Sequence, residues 1–74
     1  MREVSEAEFL EAIRIVRHSY GACTAAALAE QLGHHVTGVR RRVDRLVARG
    51  LVDESGVPGS IRVSGEPDTV RAPA

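Results

Sequence analysis

Residues 24–52, which read TAAALAEQLGHHVTGVRRRVDRLVARGLV, contain the signals that decide the fold. Thr24 is a favourable N-cap, and the alanine-rich run after it is a strong helix former. Gly33 suits the left-handed conformation that ends many helices, and the two leucines before it, one turn apart, face the same side. The first half of this segment therefore predicts a short helix over residues 25–32.

The second half of the segment predicts a longer helix that begins near Val36 and runs to about Arg49. Gly50 follows at the position just past a helix end, where a left-handed residue is common. Five apolar residues recur at helical spacing and form one core-facing stripe, namely Val36, Val39, Val43, Leu46 and Val47. The other faces of this helix are rich in arginine.

Upstream of this segment, a first helix is predicted over roughly residues 6–19. Ser5 and Glu8 have the spacing of a capping box, in which each side chain bonds the other's backbone N–H. Gly21 ends the helix. The apolar residues recur every three or four positions and predict an amphipathic helix whose core face carries Phe9, Ile13, Val16 and Tyr20.

Downstream, residues 51–54 and 61–63 suit two short strands, because the six residues between them are turn formers. The apolar pair Ala22-Cys23 is long enough for one isolated bridge to this hairpin. We therefore expect an α+β fold that is mainly α, with three helices and a short C-terminal β-hairpin. The domain should span residues 1–63, followed by a flexible tail over residues 64–74.

The charge of the chain is zero in total and uneven along its length. Ten arginines balance ten acidic residues, and there is no lysine. Residues 1–33 carry three arginines and five acids, residues 34–50 carry five arginines and one acid, and residues 51–74 carry two arginines and four acids. The positive charge is thus concentrated on the predicted third helix, which favours an anionic partner for that helix.

Several functional classes are disfavoured by what the sequence lacks. Cys23 is the only cysteine, so there is no internal disulfide and no thiolate metal site. The three histidines lack metal-ligand spacing, and no nucleophile has an identifiable base, so we expect no cofactor, no small-molecule substrate and no enzyme activity. Without a signal peptide or a long apolar run, a cytoplasmic protein without a membrane segment is expected.

The sequence between residues 5 and 63 resembles the winged helix-turn-helix family of DNA-binding domains, of the small prokaryotic or phage regulator type. In this family pattern, Thr24 caps the second helix, and the small Ala29 allows a close helix crossing. Gly33 forms the turn, and Gly50 ends the third helix before the C-terminal hairpin, which is called the wing. The resemblance implies sequence-specific binding of double-stranded DNA, with the third helix in the major groove, by a transcriptional regulator or accessory factor. Because such a small domain makes few DNA contacts, we expect it to bind as a homodimer or together with a second protein.

The resemblance also implies which side chains contact DNA. The exposed positions of the third helix that would read base edges are Thr37, Gly38, Arg40, Arg41 and Arg45. Arg42 flanks the core stripe and is expected to contact a phosphate, or Asp44 and other acids. Asp44 would repel phosphate unless it pairs with Arg40, Arg41 or another arginine. The remaining candidate DNA contacts lie at the helix starts and on the wing, at Thr24, His35 and Arg62.

Two features depart from the family pattern. His35 stands where the family usually has a serine or threonine cap, and Thr37 is the substitute if the helix starts later. The wing tip has no positive charge, and Asp53 and Glu54 lie on its first strand. An alternative therefore stays open, in which this is a protein–protein interaction module whose arginine face binds an acidic partner.

Overall fold

The computed structural model describes residues 3–55, 57 and 59–65. Its elements are three helices, α1 (Glu6–Tyr20), α2 (Ala25–Leu32) and α3 (Val36–Ala48), followed by two strands, β1 (Val52–Asp53) and β2 (Arg62–Val63). The strands pair antiparallel, with Val52 opposite Val63 and Asp53 opposite Arg62. The mainly helical α+β fold is confirmed, although each strand is shorter than the sequence predicted.

Local signals define the ends of the helices. The capping box at the start of α1 is formed, because the Ser5 hydroxyl accepts from the Glu8 backbone N–H and the Glu8 carboxylate accepts from the Ser5 N–H, both at 3.1 Å. The Thr24 hydroxyl accepts from the Ala27 N–H at 3.0 Å and caps α2. Gly33 has φ 71°, a left-handed value that an L side chain rarely adopts, and it turns the chain from α2 towards α3.

One hydrophobic core holds all five elements together. The helix α2 packs against both α1 and α3, while β2 packs on α1 and β1 on α3. The fully buried side chains of largest volume come from every part of the domain and are Phe9, Ile13, Leu28, Ile61, Val16, Val43, Val52 and Cys23. Burial of this continuous apolar surface is the main stabilising term for a domain of this size.

Three residues that the sequence pattern assigned to the core are exposed instead. Tyr20 is 74% exposed because it is the last residue of α1, and the chain turns away at Gly21. Val36 and Val47 are 42% and 37% exposed because they lie in the first and last turns of α3, beyond the part that the core covers. Helical periodicity identifies the buried face of a helix and not the length of helix that is covered.

The hairpin is fastened to the connection between α1 and α2. Cys23 and Ser60 form an isolated parallel bridge, as the sequence predicted. The Cys23 N–H donates to the Gly59 carbonyl at 3.2 Å, and the Ile61 N–H donates to the Cys23 carbonyl at 3.3 Å. An Arg17 guanidinium N–H also donates to the Ile61 carbonyl, at 3.1 Å. These bonds fix the hairpin, which is the wing (residues 51–63), relative to the helices.

The proposed boundary between a domain over residues 1–63 and a flexible tail over residues 64–74 stays a prediction. Ser64 and Gly65 are described, and the Ser64 N–H donates to the Leu51 carbonyl at 3.0 Å. The rest of the predicted tail lies outside the described residues. In the described ranges, no helix has the length and apolar character needed to cross a membrane.

Candidate nucleic-acid interface

The exposed side of α3 presents a ridge of three side chains, Thr37, Arg41 and Arg45, which we call the reading ridge. They are spaced four residues apart, so they lie nearly in line along the helix. At 3.6 residues per turn, this line is opposite the buried stripe of Val39, Val43 and Leu46. All three members are exposed. The ridge is therefore presented by a helix whose other side is anchored in the core.

Arg41 and Arg45 are the arginines of this ridge that stay available for an external anion. Within the part of the chain that the structure describes, neither guanidinium lies within ion-pair distance of a carboxylate. Because an exposed guanidinium keeps its charge and its five N–H donors, each is able to bind a guanine edge or a phosphate. Their side chains were both predicted as DNA contacts from sequence.

Arg40 is bound at the protein surface by two acids. One terminal guanidinium nitrogen donates to one Glu54 oxygen at 2.8 Å. The other terminal nitrogen donates to the second Glu54 oxygen. It also donates to Asp44, at 2.9 Å. The hydrogen bond to Glu54, with that to Asp44, raises the pKa of Arg40 above its ordinary value. Asp44 therefore pairs with Arg40, which the sequence had left open. The Glu54 contact was not predicted, because it joins α3 to a residue that follows β1.

Arg42 lies on the opposite flank of α3, and its guanidinium carbon is 5.0 Å from the centroid of the Phe9 ring. This distance is within the range of a cation–π contact. Its predicted place beside the core stripe is thus confirmed, whereas its packing on an aromatic ring of α1 was not anticipated. The contact orients the side chain and leaves its positive charge in place.

The start of α3 is capped by His35 itself. The helix begins at Val36, and the His35 Nδ1 accepts from the Thr37 backbone N–H at 3.2 Å. The helix does not start later, so the condition under which Thr37 would replace His35 as the cap is not met. Gly38 is exposed in the first turn, and a Cβ built there would have no atom within 4 Å beyond its chain neighbours and the adjacent backbone of α3. This leaves the outer surface of that turn open.

The wing offers little positive charge. Arg62 is its only arginine in the sequence, and it lies across the hairpin from Asp53, with Nε 3.7 Å from the carboxylate. Glu54 is bonded to Arg40, as described above.

At the other end of α3, Arg49 pairs with Glu6 of α1 at 2.9 Å. Of the five arginines in residues 34–50, three therefore remain without an acid partner among the described residues, namely Arg41, Arg42 and Arg45.

The structure adds two observations on the chemistry that the sequence disfavoured. Among the described residues, no group of three or more His, Cys, Asp or Glu side chains is arranged to hold a metal ion. Cys23 is fully buried, and this burial raises the pKa of its thiol to about 11. Because the thiolate is the reactive form, Cys23 in the folded protein is a poor nucleophile at neutral pH.

Comparison with known proteins places this geometry in a family. The family model of the MarR family matches residues 4–60, which run from the start of α1 into the wing and include the whole reading ridge. No match was found among curated proteins or among solved structures. The matched region contains the three helices and β1, and β2, which completes the antiparallel hairpin of a winged helix-turn-helix, follows it directly. This chain belongs to the MarR family of winged helix-turn-helix DNA-binding regulators.

Proposed function

We propose that the protein binds double-stranded DNA sequence-specifically by placing α3 in the major groove, and that it acts as a transcriptional regulator or accessory factor. The observation that carries this proposal is the reading ridge of Thr37, Arg41 and Arg45, whose two arginines have no acid partner among the described residues. An α-helix fits the major groove, where base edges present a distinct donor and acceptor pattern.

Each member of the ridge has a role that its chemistry supports. Arg41 and Arg45 are able to donate two hydrogen bonds to guanine O6 and N7, and Thr37 is able to bond a base or contact a thymine methyl. Gly38, beside Thr37, lets the helix backbone approach the groove because it adds no side chain. In this proposal the ridge carries the sequence preference.

Residues around the ridge would contact the phosphate backbone. Arg42, held over Phe9, is placed on the flank of α3, and His35 and Thr24 lie at the starts of α3 and α2. Phosphate contacts fix the position of a protein on DNA without reading its sequence. Arg62 contributes less, since Asp53 offsets its charge. Arg40, predicted as a base reader, is already bound by two carboxylates and is assigned a different role below.

A single module of this size makes few base contacts, so we propose that it works as a homodimer or with a second protein. Two modules related by a two-fold axis read half-sites about one helical turn apart, which multiplies the specificity of one. Membership of the MarR family supports a dimer. The proposal predicts that the protein binds an inverted-repeat site more tightly than a single half-site.

The test is a titration of duplex DNA with the protein at several salt concentrations. On a duplex of arbitrary sequence, where Arg41, Arg42 and Arg45 would each neutralise about one phosphate in place of base contacts, log K should fall with log salt at a slope of about −3. The double variant Arg41→Ala with Arg45→Ala should lower affinity at least about tenfold and make the slope shallower by about 2. Arg14→Ala, on the exposed face of α1, removes one arginine outside the reading ridge and is the control for each single replacement, Arg41→Ala or Arg45→Ala.

A second candidate is favoured by the wing, whose only arginine faces an aspartate. In that case the arginine face of α3 binds an acidic protein. The same titration separates the two: an absence of binding to duplex DNA at low salt, or binding that the double variant leaves unchanged, overturns the DNA proposal and leaves the protein partner.

A further inference from the structure

Arg40 is bound by acids from two different elements. Glu54 follows β1 and engages both guanidinium nitrogens, and Asp44, one turn further along α3, engages one of them. A two-point contact between a guanidinium and a carboxylate is the strongest geometry for such a pair. The side chain of Glu54 is 22% exposed and that of Asp44 is 66% exposed, so solvent screens the Glu54 contact less.

These three residues also determine the charge beside the reading ridge. Two carboxylates share one guanidinium, so the group carries a net charge of −1 on the wing side of α3. A phosphate that approached Arg40 would have to displace Glu54 and would meet the repulsion of both acids. Arg42, on the other flank, has an aromatic ring beneath it and no such acid among the described residues. The two flanks of α3 are therefore electrostatically different.

We propose that Arg40 positions the wing against α3 and does not contact DNA, and that Glu54, by holding it, limits the affinity of the protein for DNA of arbitrary sequence. This inference rests on the proposed DNA-binding function. Affinity for arbitrary sequence comes almost entirely from cations that neutralise phosphates. Removing Arg40 from that set lowers this affinity while Arg41 and Arg45 keep their base contacts, so the ratio of specific to non-specific binding rises.

The deciding variant is Glu54→Gln, which keeps the shape of the side chain and removes its charge. Arg40 is then held only by the exposed Asp44, and a phosphate competes for it. On a duplex of arbitrary sequence, the slope of log K against log salt should steepen by about 0.9, and affinity at 0.1 M salt should rise about fivefold to tenfold. Glu11→Gln on α1 makes the same change in total charge and should leave the slope unchanged.

Arg40→Gln, made in two backgrounds, tests whether Arg40 is kept from the phosphates by Glu54. In the wild-type background it should leave the salt slope unchanged, because Arg40 makes no phosphate contact to lose. In the Glu54→Gln background it should abolish the gain in slope and affinity. A wild-type slope that becomes shallower by about 0.9 on Arg40→Gln overturns the inference. The inference is also overturned if Glu54→Gln has the same salt slope and the same affinity as Glu11→Gln.

Failure of this inference is distinguishable from failure of the proposed function. If the wild-type protein does not bind duplex DNA, the function itself is contradicted. If it binds, and Arg41→Ala weakens it, but Glu54→Gln behaves as the α1 control does, only the role of Glu54 is contradicted. Folding of each variant is checked by circular dichroism. If Glu54→Gln does not fold, Glu54→Ala takes its place, with Glu11→Ala as its control, and the same two outcomes decide.

Discussion

Gly38 is the residue where helix stability and the proposed DNA contact make opposite demands. Alanine in a helix interior is more stable than glycine by about 0.5–1 kcal/mol, and apart from its own neighbourhood in α3 nothing lies within 4 Å of the added Cβ. Because Gly38 lies in the first turn of α3, Gly38→Ala should raise the free energy of unfolding by at most about that amount. It should also lower DNA affinity about threefold or more, because the methyl group would occupy the space that the groove surface needs.

Chemical denaturation and a duplex titration of the same variant check both parts of this expectation. Thr37→Ala removes a neighbouring side chain without adding bulk and serves as the comparison for the binding measurement. A Gly38→Ala protein that is more stable and binds as tightly as the wild type would show that the backbone at Gly38 does not approach DNA.

Cys23 should make the stability of the protein depend on pH in the alkaline range. Its thiol pKa is about 11 in the folded state and 9.0 for an unperturbed thiol, so the unfolded chain loses this proton first. The resulting stabilisation is fully present below pH 9 and is lost as the pH rises to about 11. A shift of this size corresponds to about 2–3 kcal/mol.

The measurement is urea denaturation of the wild type and of Cys23→Ala between pH 8 and pH 11. The difference in unfolding free energy between the two proteins should shrink as the pH rises, because only the wild type has the thiol. A difference that stays constant over this range would contradict the assignment of the effect to Cys23. The native thiol should also react slowly with alkylating reagents at neutral pH.

At the scale of elements, the caps of α2 and α3 differ in quality. The Thr24 hydroxyl caps α2, whereas an imidazole nitrogen caps α3. Asparagine and serine are among the best N-caps, so His35→Asn should raise the free energy of unfolding by about 0.5–1 kcal/mol. Thr24→Ala should lower it by about 1 kcal/mol.

Thermal and urea denaturation of the two variants check this difference in sign. A His35→Asn protein that is less stable than the wild type would mean that the imidazole makes a stabilising contact beyond the cap. If stability rises while DNA affinity falls, the histidine has been retained at this position for binding rather than for the helix.

The elements also show which features a sequence can specify. Helix starts and ends were predictable from Ser5, Thr24 and the glycines because caps act on backbone groups within a few positions. The exposure of Tyr20 was not predictable, since it depends on which element lies over the last turn of α1. Strand lengths were overestimated for a related reason, because a strand extends only as far as its partner pairs with it.

The same distinction applies to the candidate site. The reading ridge follows from helical spacing, so Arg41 and Arg45 could be chosen from sequence. The pairing of Arg40 with Asp44 is also local, being four residues apart on one helix. The contact between Arg40 and Glu54 depends on how the wing folds back on α3, and the Arg42 contact with Phe9 depends on how α1 crosses it. Non-local contacts of this kind require the fold.

At the scale of the whole molecule, a net charge of zero coexists with a positively charged helix face. Acids of α1 and the wing balance part of this charge: Glu54 pairs with Arg40 of α3, Glu6 pairs with Arg49 at its C-terminal end, and Asp53 faces Arg62 within the wing. What remains is a narrow cationic strip formed by the reading ridge and Arg42. A strip of this width suits a single groove of DNA and gives the molecule little general affinity for polyanions.

The most direct test of this account is chemical-shift mapping of the backbone amides during titration with duplex DNA at low salt. We predict that the largest shift changes fall on residues 37–45, with smaller changes at the start of α2 and little change on the exposed face of α1. The Arg41→Ala with Arg45→Ala protein should show much smaller changes. Shifts that are absent, or that centre on α1 instead of α3, would contradict the claim that α3 is the DNA-reading element.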